Sequence, residues 1–217
     1  MIPLSTILSR CRTRYDSASG GSSTRWSDSR LTDFVNEGLE NIAESTLFYE
    51  RYTTVPLQAN RTYYDLRGFT PETVVRVKSV FSTENNLWLE PFNPEKLDES
   101  WRQATGVPQV FWTRGIYWLG VYPKSASDSS TNAASASYLR VYFAGIPDRF
   151  ANTQMVLADL PDDMVPALEE YVLYEMAAID HKSDLAQYYW KSYMGREDRF
   201  NKFVGGRGDG ARLNRLG

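Results

Sequence analysis

Between Leu160 and Val204 the apolar residues keep a helical period, and no other stretch constrains the fold of the chain as tightly. Val165, Leu168, Val172, Met176 and Ile179 recur every three or four residues and so share one face of a helix, while Glu169, Glu170, Glu175 and Asp180 point elsewhere. The spacing predicts an amphipathic helix over 161–180. Its regular part begins at Val165, because Pro166 is tolerated only in a first turn. A break at 180–184 precedes a second stripe, Leu185, Tyr189, Tyr193, Phe200 and Phe203, which predicts a helix over 184–204 that the lone Gly195 weakens only mildly. The two form a helical hairpin against which the rest of the chain must pack. After Val204 the sequence Gly205-Gly206-Arg207-Gly208-Asp209-Gly210 has too many glycines to stay helical and too little apolar surface to fold alone. Residues 205–217 are therefore expected to form an extended tail.

The same period returns at the N-terminus. Leu4, Ile7, Leu8 and Cys11 predict a helix over 4–15, with Arg10, Arg12 and Arg14 near its C-terminal end, where cations suit the helix dipole. Ser17 to Ser23 reads as a flexible connection. Ser27 is placed to cap a second helix over 28–51, with Trp26 and Leu31 as a hydrophobic staple across its first turn. The texture then becomes extended. Residues 53–58 and 61–66 flank an Ala59-Asn60 turn and suggest a hairpin, and 74–81 reads as a strand returning through 87–90 after Asn85-Asn86. A short helix is expected over 93–103, then strands at 110–113 and 116–122 about Arg114-Gly115, and another at 138–143 beyond a Ser/Ala-rich loop. The fold class is α+β: a four-helix bundle from 1–52 and 160–204, an inserted antiparallel β sub-domain at 53–146, and an extended C-terminal docking tail at 205–217.

The chemistry-bearing residues are sparse. Cys11 and His181 each stand alone, so neither a disulfide within the chain nor a Cys/His metal cluster can form, and Cys11 reads as a small core residue of a reducing, cytosolic environment. No run of about 18 apolar residues and no basic-then-apolar N-terminus points to a membrane or to secretion. A net charge of −3 argues against a groove that grips nucleic acid by neutralising its phosphates. The nucleophile-elbow, zinc-protease, P-loop and dinucleotide-binding spacings are absent. Asp162-Asp163 and Glu169-Glu170 are adjacent rather than opposed across a cleft, so they read as surface acids near a helix N-terminus and not as a glycosidase pair. No catalytic residue, metal site or cofactor is expected. Arg207-Gly208-Asp209 spells an adhesion tripeptide without an extracellular context. Tyr188, Tyr189, Trp190 and Tyr193 exceed what one core-facing stripe needs, which makes Tyr188, Trp190 and Tyr193 candidates for a subunit or tail interface. Arg196, Arg199, Lys202, Arg207, Arg212 and Arg215 make the C-terminal end basic within an acidic protein.

Taken in order, these pieces resemble the head-to-tail adaptor (head completion or connector) proteins of tailed bacteriophages. The matching segments are Trp26-Ser27 opening a helix with Leu31, Phe34, Val35 and Asn36; Tyr64-Asp65-Leu66; Gly106-Val107-Pro108; Trp118 to Pro123; Leu139 to Phe143; and Leu160-Pro161 leading into Ala167-Leu168-Glu169-Glu170-Tyr171. The chain departs from the pattern at Leu66-Arg67, where Leu-Pro is common, and in its long Ser/Ala loop. The resemblance implies a non-enzymatic ring subunit, a homo-oligomer of twelve copies in the virion neck, assembled in the host cytoplasm. Its partners would be the portal protein, a tail or nozzle protein, and double-stranded DNA passing through the channel without sequence-specific contact. It also implies that the C-terminal extension docks on the portal, with Arg207, Arg212 and Arg215 meeting acids and Leu213 and Leu216 filling apolar pockets. Two other readings stand beside it: a virion-associated peptidoglycan hydrolase, and a tail or baseplate interaction module of other symmetry.

Overall fold

The computed structural model of the chain describes residues 2–20, 25–96, 103–128, 137–151, 156–157 and 160–213, with the backbone alone at 156–157 and 204–213. The chain divides into two compact units, 1–48 with 147–217, and 49–146.

Among its described residues the first unit holds four α-helices, α1 (Leu4–Ser19), α2 (Asp28–Thr46), α3 (Val165–Ile179) and α4 (Ser183–Leu213). Ser27 caps α2 as its side chain predicts: Oγ accepts the Arg30 backbone N–H at 3.2 Å, and Trp26 and Leu31 are both buried beside it. Asp162–Met164 form a 3₁₀ turn, so the regular α3 begins at Val165 with Pro166 in its first turn. α3 packs against α1, α2 and α4, and one core runs from Leu4, Ile7, Leu8 and Cys11 through Leu31 and Ile42 to Leu168, Val172 and Met176. The α2–α3 approach is close at Gly38, where a Cβ would fall 2.8 Å from both Leu168 Cδ1 and Tyr171 Cδ1.

Several expectations are corrected. α3 is not amphipathic: Glu169, Glu170, Tyr171 and Leu173 are buried with its apolar stripe, and Ile179 at its end is exposed, because helices flank it on more than one side. α1 extends past residue 15 to Ser19, which places Arg10, Arg12 and Arg14 mid-helix rather than at a C-terminus. The 28–51 helix stops at Thr46. The Ser45 and Thr46 hydroxyls bond back to the Asn41 and Ile42 carbonyls, and Leu47 turns left-handed (φ 53°) to close the last turn. α4 does not end at Val204; its backbone stays helical to Leu213. Each glycine there costs about 1 kcal/mol against alanine, but extending a formed helix avoids the unfavourable nucleus and gains a hydrogen bond per residue. The expectation of an extended tail fails over 205–213, and 214–217 lie outside the described residues. Strands are not confined to 53–146 either, since β1 (Ile2–Pro3) pairs antiparallel with β10 (Val156–Leu157).

The second unit is built of two four-stranded sheets. β2 (Glu50–Pro56), β9 (Tyr138–Gly145), β4 (Val74–Ser82) and β5 (Leu87–Trp88) form one in that order; β3 (Tyr63–Asp65), β8 (Trp118–Tyr122), β7 (Val110–Arg114) and β6 (Glu90–Pro91) form the other. The β7–β8 hairpin turns at Gly115 (φ +62°), and β4 returns through β5 with Asn86 left-handed, both as turn chemistry predicts. The hairpin expected from 53–58 and 61–66 does not form. A turn is present at Ala59-Asn60, but β2 pairs with β9 while β3 pairs with β8, so the chain changes sheets there. It returns to the first sheet between β3 and β4 and crosses to the second again between Trp88 and Glu90, where β6 joins β7 in the one parallel strand pairing of the two sheets among the described residues. Of the helix expected over 93–103, a 3₁₀ turn at Pro94–Lys96 is present, and 97–102 lie outside the described residues. Alternate residues of both sheets point into one apolar cluster, Val55, Val80, Leu139, Val141 and Phe143 from the first and Tyr64, Phe111, Leu119 and Val121 from the second.

Candidate functional site

Charge is buried in the helical unit where the sequence suggests surface acids. Glu169 is 7% and Glu170 3% exposed, and arginines from the neighbouring helices reach them. Arg14 Nη1 donates to Glu169 Oε2 at 2.9 Å and Arg10 Nη1 to Glu169 Oε1 at 3.4 Å. From α4, Arg196 Nε donates to Glu170 Oε2 at 2.8 Å, while Arg14 Nη2 lies 3.8 Å from Glu170 Oε1. Arg10 and Arg14 stand one helical turn apart, so both can face the same carboxylate. Asp180, at the end of α3, meets the Tyr15 hydroxyl and the Arg25 guanidinium. These groups tie α1, α3 and α4 together.

The lone cysteine is equally committed. Cys11 is fully buried, and burial, followed by the charge of Glu169, pushes its thiol up to about 12, far from a reactive thiolate. His181 sits in the exposed α3–α4 turn with a left-handed backbone, its N–H on the Ala178 carbonyl. Among the described residues no group of His, Cys, Asp and Glu could hold a metal ion.

The surface is more informative. On α4 the three residues singled out in the sequence separate. Tyr188 is 65% and Trp190 39% exposed, whereas Tyr193 is 2% exposed and belongs to the core, its ring edge-on to Tyr171 at 5.5 Å and beside Trp190 at 5.3 Å. Burial, then the neighbouring Glu197, raises the Tyr193 hydroxyl well above its ordinary range. Trp190 also leans on Tyr174 at 5.0 Å. Phe203, assigned to the core stripe, is exposed; it lines an open cleft of about 330 Å³ with Asp163, Met164, Arg196, Arg199 and Phe200. Arg207, Arg212 and Leu213 fall on the helical backbone beyond it, and Arg215 and Leu216 lie outside the described residues.

A second aromatic surface, missed in the sequence, covers the outer face of the β2–β9–β4–β5 sheet. Tyr52 and Tyr142 face each other across β2 and β9 with rings 5.8 Å apart, Trp88 follows at 5.4 Å from Tyr142, and Phe81 packs on Trp88 at 5.3 Å. Tyr52 (60%), Leu87 (57%) and Trp88 (44%) are exposed. Arg140 lies among them, its guanidinium 5.4 Å from the Tyr52 ring, and hydrogen bonds to Tyr142 and then Tyr138 hold it above its ordinary pKa. Among the described residues it has no carboxylate partner. The signal was available in the alternation of Tyr138, Arg140 and Tyr142 with Leu139, Val141 and Phe143: three polar or aromatic residues face outward where a solvated face would carry short polar ones.

The family model described as SU10 adaptor protein matches residues 2–214. No curated protein matches the chain.

Proposed function

The chain belongs to the SU10 adaptor protein family, and we propose from that premise that it is a structural head-to-tail adaptor of a tailed phage: a ring subunit beneath the portal that joins capsid to tail and lines the DNA channel. The observation that carries this reading is the family match over nearly the whole chain, through both units and both aromatic surfaces. The chemistry of the molecule supports it. The buried acids Glu169 and Glu170 are bound to arginines, and the cysteine is a buried thiol. Large exposed aromatic areas are what assembling subunits present to one another. A net charge of −3 suits a conduit in which DNA slides without the phosphate contacts that would retain it.

In this proposal Tyr188 and Trp190 meet a neighbouring subunit or a tail protein. The C-terminal end engages the portal through Arg207, Arg212 and Arg215 as cations and Leu213 and Leu216 as apolar anchors. Electron micrographs of the purified chain, alone and with portal, test the assembly. Rings of about twelve copies seated on portal are expected. A chain that stays monomeric and ignores portal overturns the proposal. Deleting 205–217 tests the docking end: ring formation should persist while portal binding falls, and undiminished binding removes this segment from the contact.

A further inference from the structure

Each of the two units carries an exposed apolar patch with a charge that finds no opposite within the described residues. On the sheet face the charge is Arg140, set among Tyr52, Tyr142 and Tyr138, with the exposed Trp88 beside Tyr142. At the corner where α3 turns into α4 it is Asp184, in the first turn of α4 and one helical turn before Tyr188, with the exposed Ile179 closing α3 just before. Tyrosine, tryptophan and arginine are the side chains that dominate binding energy when desolvated, and an arginine flanked by aromatic rings selects a carboxylate. One cation among the rings is too little for a nucleic-acid backbone, which needs several phosphates neutralised. It matches one carboxylate presented beside an aromatic ring.

We infer that the helical corner of one copy, Ile179, Asp184 and Tyr188, seats on the sheet face of the next copy, with Asp184 on Arg140 and Tyr188 against Tyr52 and Tyr142. This rests on the reading of the chain as a ring subunit and names the surfaces that close the ring. The contact is heterologous: each copy uses a different patch toward each neighbour, so it propagates from copy to copy and closes when the rotation allows. A charged pair of this kind, desolvated within an apolar contact, sets register as well as affinity.

Charge reversal tests it in a way that folding cannot imitate. Alone, Arg140→Glu and Asp184→Arg should each weaken self-association by about ten- to a hundredfold, read by analytical ultracentrifugation. Mixed in equal amounts, the two should assemble again. Every junction then pairs either Asp184 with Arg140 or the two reversed charges, and the copies alternate. Tyr52→Arg and Tyr188→Arg, at positions that are mostly solvent-exposed, should weaken assembly with unchanged circular dichroism. If the single reversals assemble like the wild type, or the mixture stays as weak as its components, the proposed contact is wrong and the sheet face serves another occupant. A wild-type chain that forms no rings, alone or with portal, overturns the adaptor reading itself, so the two failures are distinguishable.

Discussion

The two units solve the same problem with different materials. Among the described residues of the β unit every buried one is apolar or a small hydroxyl, Thr70, Ser82 and Ser125, and the interior is filled by alternate side chains of two sheets. Among the described residues of the helical unit three glutamates are buried, at 169, 170 and 197, and the arginines that satisfy Glu169 and Glu170 come from other helices. Backbone ladders fix the register of strands residue by residue. Helices satisfy their own backbone and so leave their mutual sliding unspecified, and side chains must fix it. The buried carboxylates of α3 are suited to that task, because each has a partner only at one register of α1 or α4. The lesson is that polar burial appears where the backbone has nothing left to specify.

The largest expected effect comes from attacking that difference directly. Replacing Arg14 and Arg196 together by Ala leaves Glu170 buried without a cation, and unfolding in urea should show a loss of about 3–5 kcal/mol. The half-exposed arginines, by contrast, can turn to water when the acid is removed, so Glu170→Gln should cost distinctly less. Equal losses from the two changes would mean that the acid is better solvated than its 3% exposure implies, and would break the contrast between the units. Next come apolar truncations. Leu168→Ala in the helical core and Leu119→Ala in the β core should each cost about 2–4 kcal/mol, because both side chains are fully buried in well-packed clusters. A clearly smaller value for Leu168 would show that the ion pairs, rather than packing, carry the helical unit.

Close approach is the third measure. Gly38→Ala places a methyl group against Leu168 and Tyr171 and should lower stability by about 1–3 kcal/mol despite alanine's better helix propensity. A stabilised variant would mean that the α2–α3 interface yields easily. The smallest effect is electrostatic. Burial, and then the charge of Glu37, raise the pKa of Glu175, while Arg30 and the Tyr171 hydroxyl oppose the shift. Its protonated form therefore favours folding: that contribution is complete below the ordinary carboxylate range and is lost as pH rises through the raised value. Glu175→Gln should give a slightly higher melting temperature at pH 7, with the gain fading below about pH 4, where the wild-type side chain is itself protonated. A gain that grows on acidification would reverse the sign of this argument.

What the sequence discloses follows the same division. Helix starts were legible because Ser27 and the Pro161–Pro166 stretch act within one turn, and the β7–β8 and β4–β5 returns were legible because Gly115 and Asn86 turn the chain locally. The pairing of β2 with β9 was not, since Tyr52 and Tyr142 lie far apart in sequence and nothing near Tyr52 distinguishes β9 from the nearer β3. Glu169 and Glu170 look like surface acids in the sequence because a sequence window weighs a carboxylate by its own cost of burial and not by the arginine that will meet it. Arg10 and Arg14, one turn apart on the same helix, are the available clue. Of the candidate interface, Tyr188 and Trp190 were visible as an excess of aromatics over one stripe, while Tyr52, Trp88, Arg140 and Tyr142 needed the sheet order to become neighbours.

The ladder between β2 and β9 carries one more implication. Glu50 is in register with Ala144, and the Gly145 N–H bonds to the Tyr49 carbonyl at 2.9 Å, so the strands that begin and end the second unit lie side by side. To the helices, the whole excursion from 49 to 146 is then a short hairpin whose two feet are already tied. Closing it as a loose loop would cost entropy that grows with the logarithm of its length, but the β unit's own ladder has closed it. Such a module can lengthen, shorten or exchange its surface without asking the helices to move.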